Sequence, residues 1–131
     1  MAISKVYTGG PQTLWSNGGT TLYHAALPPL ESPLAAYARV TQEMANKTGG
    51  ITGVTLAARY SNDLVTWDAW APVAAATAQT SNGTQHDDTW LDLRSGFTVR
   101  RYCQLGWECA AAGATTNQLC SESWRIEVKG D

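Results

Sequence analysis

A two-residue hydrophobic period, interrupted at intervals by turn formers, constrains this chain more than any other feature. It is clearest from Gly53 to Trp70, GVTLAARYSNDLVTWDAW. Val54, Leu56, Ala58 and Tyr60 occupy alternate positions, which places them on one face of a strand. Ser61-Asn62-Asp63 follows, three residues whose short polar side chains bond nearby backbone groups. A second run then sets Val65, Trp67 and Ala69 against Leu64, Thr66, Asp68 and Trp70. The pattern predicts a β-hairpin, with Trp67 and Trp70 on opposite faces and one of them in the core.

The same signal recurs along the chain. Residues 2–8 alternate up to Gly9-Gly10-Pro11, as an edge strand or arm. Thr20 to Leu27 reads as a strand, and Pro28-Pro29 with Pro33 makes the next stretch an extended connection. Leu34 to Met44 suits helix or strand; the alternation of Ala38, Val40 and Gln42 selects strand. Ala74 to Thr89 is small and polar and reads as a long exposed loop with at most a short strand inside. Trp90 to Leu93 and Phe97 to Trp107 are further strands, Ala110 to Asn117 a small-residue turn, and Trp124, Ile126 and Val128 mark a last strand. No amphipathic helix of about three turns is present. The expectation is an all-β fold, an antiparallel β-sandwich of jelly-roll-like form with about seven to nine short strands, in one domain over residues 1–131, with 1–19 open to being an extended N-terminal arm.

Composition narrows function by exclusion. Charged residues make up only 15% of 131 residues, and the formal net charge is −2 with no basic block. That leaves nucleic-acid binding without electrostatic support. Met1 to Lys5 lacks the apolar run of a signal peptide, no segment is long enough to span a bilayer, and synthesis in a cytoplasm follows as the expectation. Cys103, Cys109 and Cys120 lack paired zinc spacing, so reduced thiols are expected, with Cys103 and Cys109 the pair that oxidises if the chain works outside a cell.

Catalytic motifs are missing as well. His24 and His86 are the only imidazoles. His86-Asp87-Asp88 is accounted for by a solvated loop, and no nucleophile elbow, zinc helix, phosphate loop or calcium loop occurs. No enzyme, metal or cofactor is expected. Six Trp and five Tyr against one Phe favour aromatics with a polar tip, the type enriched at interfaces. Arg100-Arg101 sits inside an expected strand, so one guanidinium shares the side of Phe97, Val99 and Leu105; it then needs an acid, the sheet rim or a neighbouring subunit. Trp15, Trp67, Trp70, Arg100 and Arg101 are the candidate partner-binding residues.

Tyr60-Ser61-Asn62-Asp63 followed by Val65-Thr66-Trp67 resembles the Asp-box of sialidase propellers, but a propeller needs several copies and a longer chain. The stretch also resembles a YSNDG-x-TW hairpin of small β-sandwich proteins of tailed bacteriophages, with Leu64 in place of Gly. Arg101-Tyr102, Gln104, Leu105, the small-residue turn and Trp124 to Lys129 extend that likeness over the C-terminal two thirds. The resemblance implies a non-enzymatic virion structural protein, foremost a head decoration (cement) protein. Its partners would be the major capsid protein or copies of itself, often as trimers, with no membrane or nucleic acid involved. Its place would be the virion. A carbohydrate-binding module built on Trp15, Trp67, Trp70, Trp90, Trp107 and Trp124, or a tail or receptor-binding component, are the alternatives.

Overall fold

The computed structural model describes residues 4–17, 19–112 and 117–131. Nine strands form among them: β1 (Ser4–Asn17), β2 (Thr21–Ala25), β3 (Leu30–Glu31), β4 (Tyr37–Ala45), β5 (Ile51–Ser61), β6 (Ala71–Pro72), β7 (Gly83–Asp92), β8 (Tyr102–Ala111) and β9 (Asn117–Lys129). One sheet runs β1-β9-β4-β7; the other runs β2-β8-β5-β6, with β3 beside β2 on the same flank of β8. Every pairing is antiparallel.

The pairings nest. β1 pairs with β9, β2 with β8, β4 with β7 and β5 with β6, from the ends of the chain inward. The chain is thus one long hairpin rolled up, and β4–β9 and β8–β5 are the seams made by the rolling. This is jelly-roll topology, two facing sheets with both chain ends in one of them. Alternation sorts each strand between the faces. Ala38, Val40, Gln42 and Met44 point inward from β4, as do Val54, Leu56, Ala58 and Tyr60 from β5. Cys103, Leu105, Trp107 and Cys109 of β8 meet Cys120, Trp124, Ile126 and Val128 of β9 in the core between them.

Several expectations are corrected. Gly9-Gly10-Pro11 does not end the first strand: β1 continues to Asn17 along β9, with a register shift between Gly9 and Gln12 and a cis Gly10–Pro11 bond. Without a Cβ, Gly9 admits the Trp124 indole, which would lie 2.5 Å from an added methyl. Residues 83–92, read largely as loop, are strand β7; β4 supplies the ladder that its polar composition conceals. The strand expected from Phe97 begins only at Tyr102, and residues 97–101 are irregular. Cys103 and Cys109 lie on one face of β8, about 20 Å apart at strand rise, too far to bond. Cys109 instead approaches Cys120 of the facing sheet, and all three thiols are free. Residues 113–116 of the expected small-residue turn lie outside the described set.

The expected hairpin keeps its first strand and loses its second. After Ser61 the chain turns back through a single bridge, Ser61 to Trp67, and a bond from Asp68 N to Tyr60 O of 2.9 Å. The chain next pairs with β5 at Ala71–Pro72, and again through a bridge from Gln79 to Val54, because the residues between Trp67 and Ala71 climb onto the outside of the sheet. Side chains tie the turn. Ser61 Oγ donates to Thr66 O at 2.6 Å, and Asp63 Oδ1 accepts from Val65 N at 2.9 Å and Thr66 N at 2.8 Å. The Thr66 and Val65 amides hold the Asp63 carboxyl below its usual range. Leu64 takes a φ of +64° at this turn, a left-handed conformation that glycine adopts without strain.

One acid lies fully inside. Glu122 of β9 is 0% exposed, and Gln42 Nε2 donates to its Oε1 at 3.1 Å and to Val54 O of the opposite sheet at 3.3 Å. Glu122 Oε2 and the Nε1 atoms of Trp107 and Trp124 are buried without partners among the described residues. Burial pushes the Glu122 carboxyl up to about 8. It is therefore protonated at neutral pH, while the unfolded chain ionises it near the ordinary value of 4.5.

Two outcomes are expected. Because the folded value lies above the unfolded one, the stability from neutral Glu122 is full below pH 4.5 and is lost as pH rises to about 8. Glu122→Gln should therefore gain on the wild type by several kcal/mol (order of magnitude) across that window, read from urea melts at stepped pH; a flat difference would refute it. Leu64→Gly, at an exposed left-handed position, should stabilise by about 0.5–1 kcal/mol and raise the calorimetric melting temperature; a fall would refute it.

Candidate interaction surface

The outer face of the β2-β8-β5-β6 sheet carries a row of small residues. Ala25, Gly106, Ala57 and Pro72 lie in register across four strands. On one side stands the Arg59–Gln104 pair, on the other Tyr23, Glu108 and Thr55. The row is a trough, and the Trp70 indole lies in it. A methyl on Gly106 would come within 2.8 Å of Trp70 Cη2 and would collide with the His24 carbonyl oxygen. Glycine is required here by that close approach.

Around Trp70 the side chains stack. The Arg59 guanidinium carbon sits 4.7 Å from the Trp70 ring centre and 4.5 Å from that of Trp67. The Tyr23 ring is parallel to Trp70 at 6.1 Å, within 4°. Arg59 Nε donates to Gln104 Oε1 at 2.9 Å, and Tyr23 OH donates to Glu108 Oε2 at 3.0 Å. Burial lowers the Arg59 pKa and raises that of Tyr23, whose bond to Glu108 adds to the rise. Cation–π contact contributes about 0.5–2 kcal/mol per pair, more as water is excluded. Trp67 and Trp70 therefore share one face and one cation. The opposite-face expectation is corrected: the chain from 62 to 70 is not a strand, so period two does not apply, and the core tryptophans are Trp107 and Trp124, 5.7 Å apart.

The other candidates lie elsewhere. Trp15 is on β1, 40% exposed, edge-on to His24 at 5.2 Å and opposite Leu119, which is 43% exposed. Arg100 Nε donates to Asp68 Oδ2 at 2.6 Å, which joins the irregular segment before β8 to the loop that carries Trp67 and Trp70. Arg101 is exposed, with its guanidinium 5.1 Å from the Tyr102 ring. Neither arginine shares the buried side of Leu105, because residues 97–101 are not in a strand. His24 Nε2 meets Trp15 O at 2.9 Å, and His86 Nδ1 meets Thr41 Oγ1 at 3.1 Å. Among the described residues neither imidazole bonds a carboxylate.

Arg59 and Tyr23 do not stand out in the sequence. Arg59 offers one signal: a lone cation on the outward parity of an otherwise apolar strand, eight residues before Trp67. A second aromatic and cationic cluster is equally hidden there. On the outer face of the other sheet, Arg39 and Lys129 lie 4.7 and 4.3 Å from the Trp90 ring centre, and Arg39 pairs with Glu127 at 3.1 Å.

Gly106→Ala should destabilise by about 2–3 kcal/mol, through displacement of Trp70 and strain against the β2 backbone. Trp fluorescence should shift red as the indole moves toward water, and an unchanged spectrum and melt would contradict the close packing.

No family model matches the chain, and no curated protein matches it. Solved structures do. A chain in the structure of the infectious bursal disease virus Gx strain superposes with a TM-score of 0.63 at 11% identity, covering 98% of this chain and 32% of that one. A chain of the infectious bursal disease virus VP2 subviral particle gives 0.61 at 12% identity, with the same coverage. This chain thus spans about a third of those chains, and it has the fold of a β-sandwich found in virus particles.

Proposed function

We propose that this protein is a non-enzymatic structural component of a virus particle, and specifically a decoration (cement) protein of a phage head. The observation that carries the reading is the complete rolled-hairpin sandwich, matched over 98% of its length by chains of virus particles. The turn of the YSND segment supports the phage assignment, since Leu64 adopts the backbone angle for which the phage pattern supplies glycine. On this reading the chain binds the major capsid protein, copies of itself, or both, and resides in the virion. A jelly roll suits this role, because its inner faces make the core while its outer faces and loops are free to touch neighbours. Repetition over a lattice multiplies contacts that are weak singly.

The carbohydrate-binding alternative has less behind it. Sugar stacking needs open ring faces, whereas Trp67 and Trp70 stack on Arg59 and Tyr23 of their own chain. Trp15 is the candidate aromatic left open to a partner.

The chain should co-sediment with purified particles of the virus that encodes it, and its absence from them would overturn the reading. Trp15→Ala should weaken that binding by about tenfold with little change in melting temperature. Light scattering on the free protein checks for a trimer.

A further inference from the structure

Cys109 of β8 and Cys120 of β9 lie on the inner faces of opposite sheets, eleven positions apart in the sequence. Both belong to the core, 0% and 2% exposed, and both are free thiols. The two side chains meet across the gap between the sheets, where one thiol hydrogen-bonds the other. Their place in the roll explains the meeting. Cys109 comes two residues before the end of β8, and Cys120 three residues after the start of β9. The pair therefore sits close to where the chain passes from one sheet to the other.

Cys103 supplies the contrast. It lies six residues along β8 from Cys109 on the same face, about 20 Å away at strand rise, and its thiol bonds Tyr60 instead. Burial pushes that thiol up to about 11. At the pair, the bond from Cys120 holds the Cys109 thiol below its ordinary value, while the same contact pushes Cys120 up. Cys109 is thus the readier nucleophile, and Cys120 stands beside it as the resolving thiol.

We propose that Cys109 and Cys120 form a redox staple: a disulfide that closes between the two sheets when the chain meets an oxidising small disulfide such as glutathione disulfide, and opens to two thiols under reducing conditions. The bond rests on the geometry of the core alone; its use in a particle that leaves a reducing cytoplasm rests on the particle reading above. In the closing reaction the Cys109 thiolate bonds one glutathione sulfur, the glutathione S–S bond breaks, and the other half leaves as a thiolate that takes up a proton. Cys120, its proton passed to water, then attacks the Cys109 sulfur, and the second glutathione leaves and is protonated. The protein loses two electrons and two protons, and glutathione disulfide gains both. Because the closed sandwich seals both sulfurs, exchange takes place as the chain folds or when the ends of β8 and β9 open. The finished bond needs no access. It adds a covalent tie between the layers beside the Gln42 bridge, and it restrains the unfolded chain.

Two measurements separate these parts. In the first, the chain is refolded to equilibrium in glutathione buffers of stepped redox poise, free thiols are trapped with iodoacetamide, and the denatured chain is cleaved after Glu108 and Glu122. That cut puts Cys103 on one peptide and residues 109–122 on another. Expected are an alkylated Cys103 and a 109–122 peptide with no alkylation and two hydrogens fewer, its bond at least about tenfold more abundant than all bonds to Cys103. The oxidised chain should melt about 5–10 °C above the reduced one. Cys103→Ala should keep both results and Cys120→Ala should abolish both; the peptide assignment is made on the wild type and does not depend on how the variants fold. Two alkylated thiols on residues 109–122 where glutathione is mostly oxidised, or bonds to Cys103 in equal amount, would overturn the pair. An oxidised chain that melts no higher would overturn the staple. In the second, released particles are alkylated without reduction and mapped in the same way. A bonded 109–122 peptide supports the use of the staple in the particle, and a reduced one overturns that use while leaving the refolding result intact. Absence of the chain from particles overturns the particle reading, and the bond formed on refolding then stands by itself.

Discussion

Burial of the inner faces of β5 and β8 against those of β4 and β9 is the constraint on which the rest depends. These four strands are paired on both sides or across the sandwich, and they supply most of the core. Trp107 and Trp124 meet at its centre, one from each sheet, 5.7 Å apart and tilted by 60°. Each buried large side chain contributes about 1.5–3 kcal/mol when removed from water. The core also holds polar groups, and Gln42 makes use of its place there. By bonding Glu122 in its own sheet and Val54 in the other, it ties the two layers at one point. A polar bridge between sheets resists sliding better than apolar contact, because hydrogen bonds are directional.

The rolled hairpin also explains why the surface features lie where they do. Its closed end is the turn after β5, and the chain leaving that turn must cross the outside of the sheet before pairing again at Ala71. Trp67 and Trp70 are carried on this crossing; Trp70 lands on the trough at Gly106, and the Arg59 guanidinium stacks with both rings. The Arg100–Asp68 pair fastens the crossing to the segment before β8. From there the chain continues to an arginine-lined pocket beside Ser32. The loop that carries Trp67 and Trp70 is thus linked through Arg100 to the pocket, which connections of the roll largely line. Strands supply the rigid frame, and loops held by side-chain bonds supply the chemistry.

Much of the architecture was legible in the residues themselves. The alternations of Val54 to Tyr60, Ala38 to Gln42 and Trp124 to Val128 identify inward faces because side-chain direction in a strand reverses at every residue. The β7 strand was hidden by its polar residues, since an edge strand buries little and its hydrogen bonds come from β4 whatever the side chains are. The segment 97–101 failed in the opposite sense: its apolar residues alternate, but no strand among the described residues pairs with it. The joint position of Trp67 and Trp70 was illegible because parity has meaning only inside a ladder.

Sequence alone determined that this chain forms strands, which faces of the central ones are apolar, and that its turn at Ser61-Asn62-Asp63 reverses the chain, because these follow from local bonding and a period of two. Only the tertiary structure decided which strands pair and which cations are left without an acid. It also placed Cys109 near Cys120, Trp70 on Gly106, and Ser32 beside Arg100 and Arg101. Those juxtapositions join residues from about 10 to about 70 positions apart, and rolling one hairpin into two sheets is what brings them together.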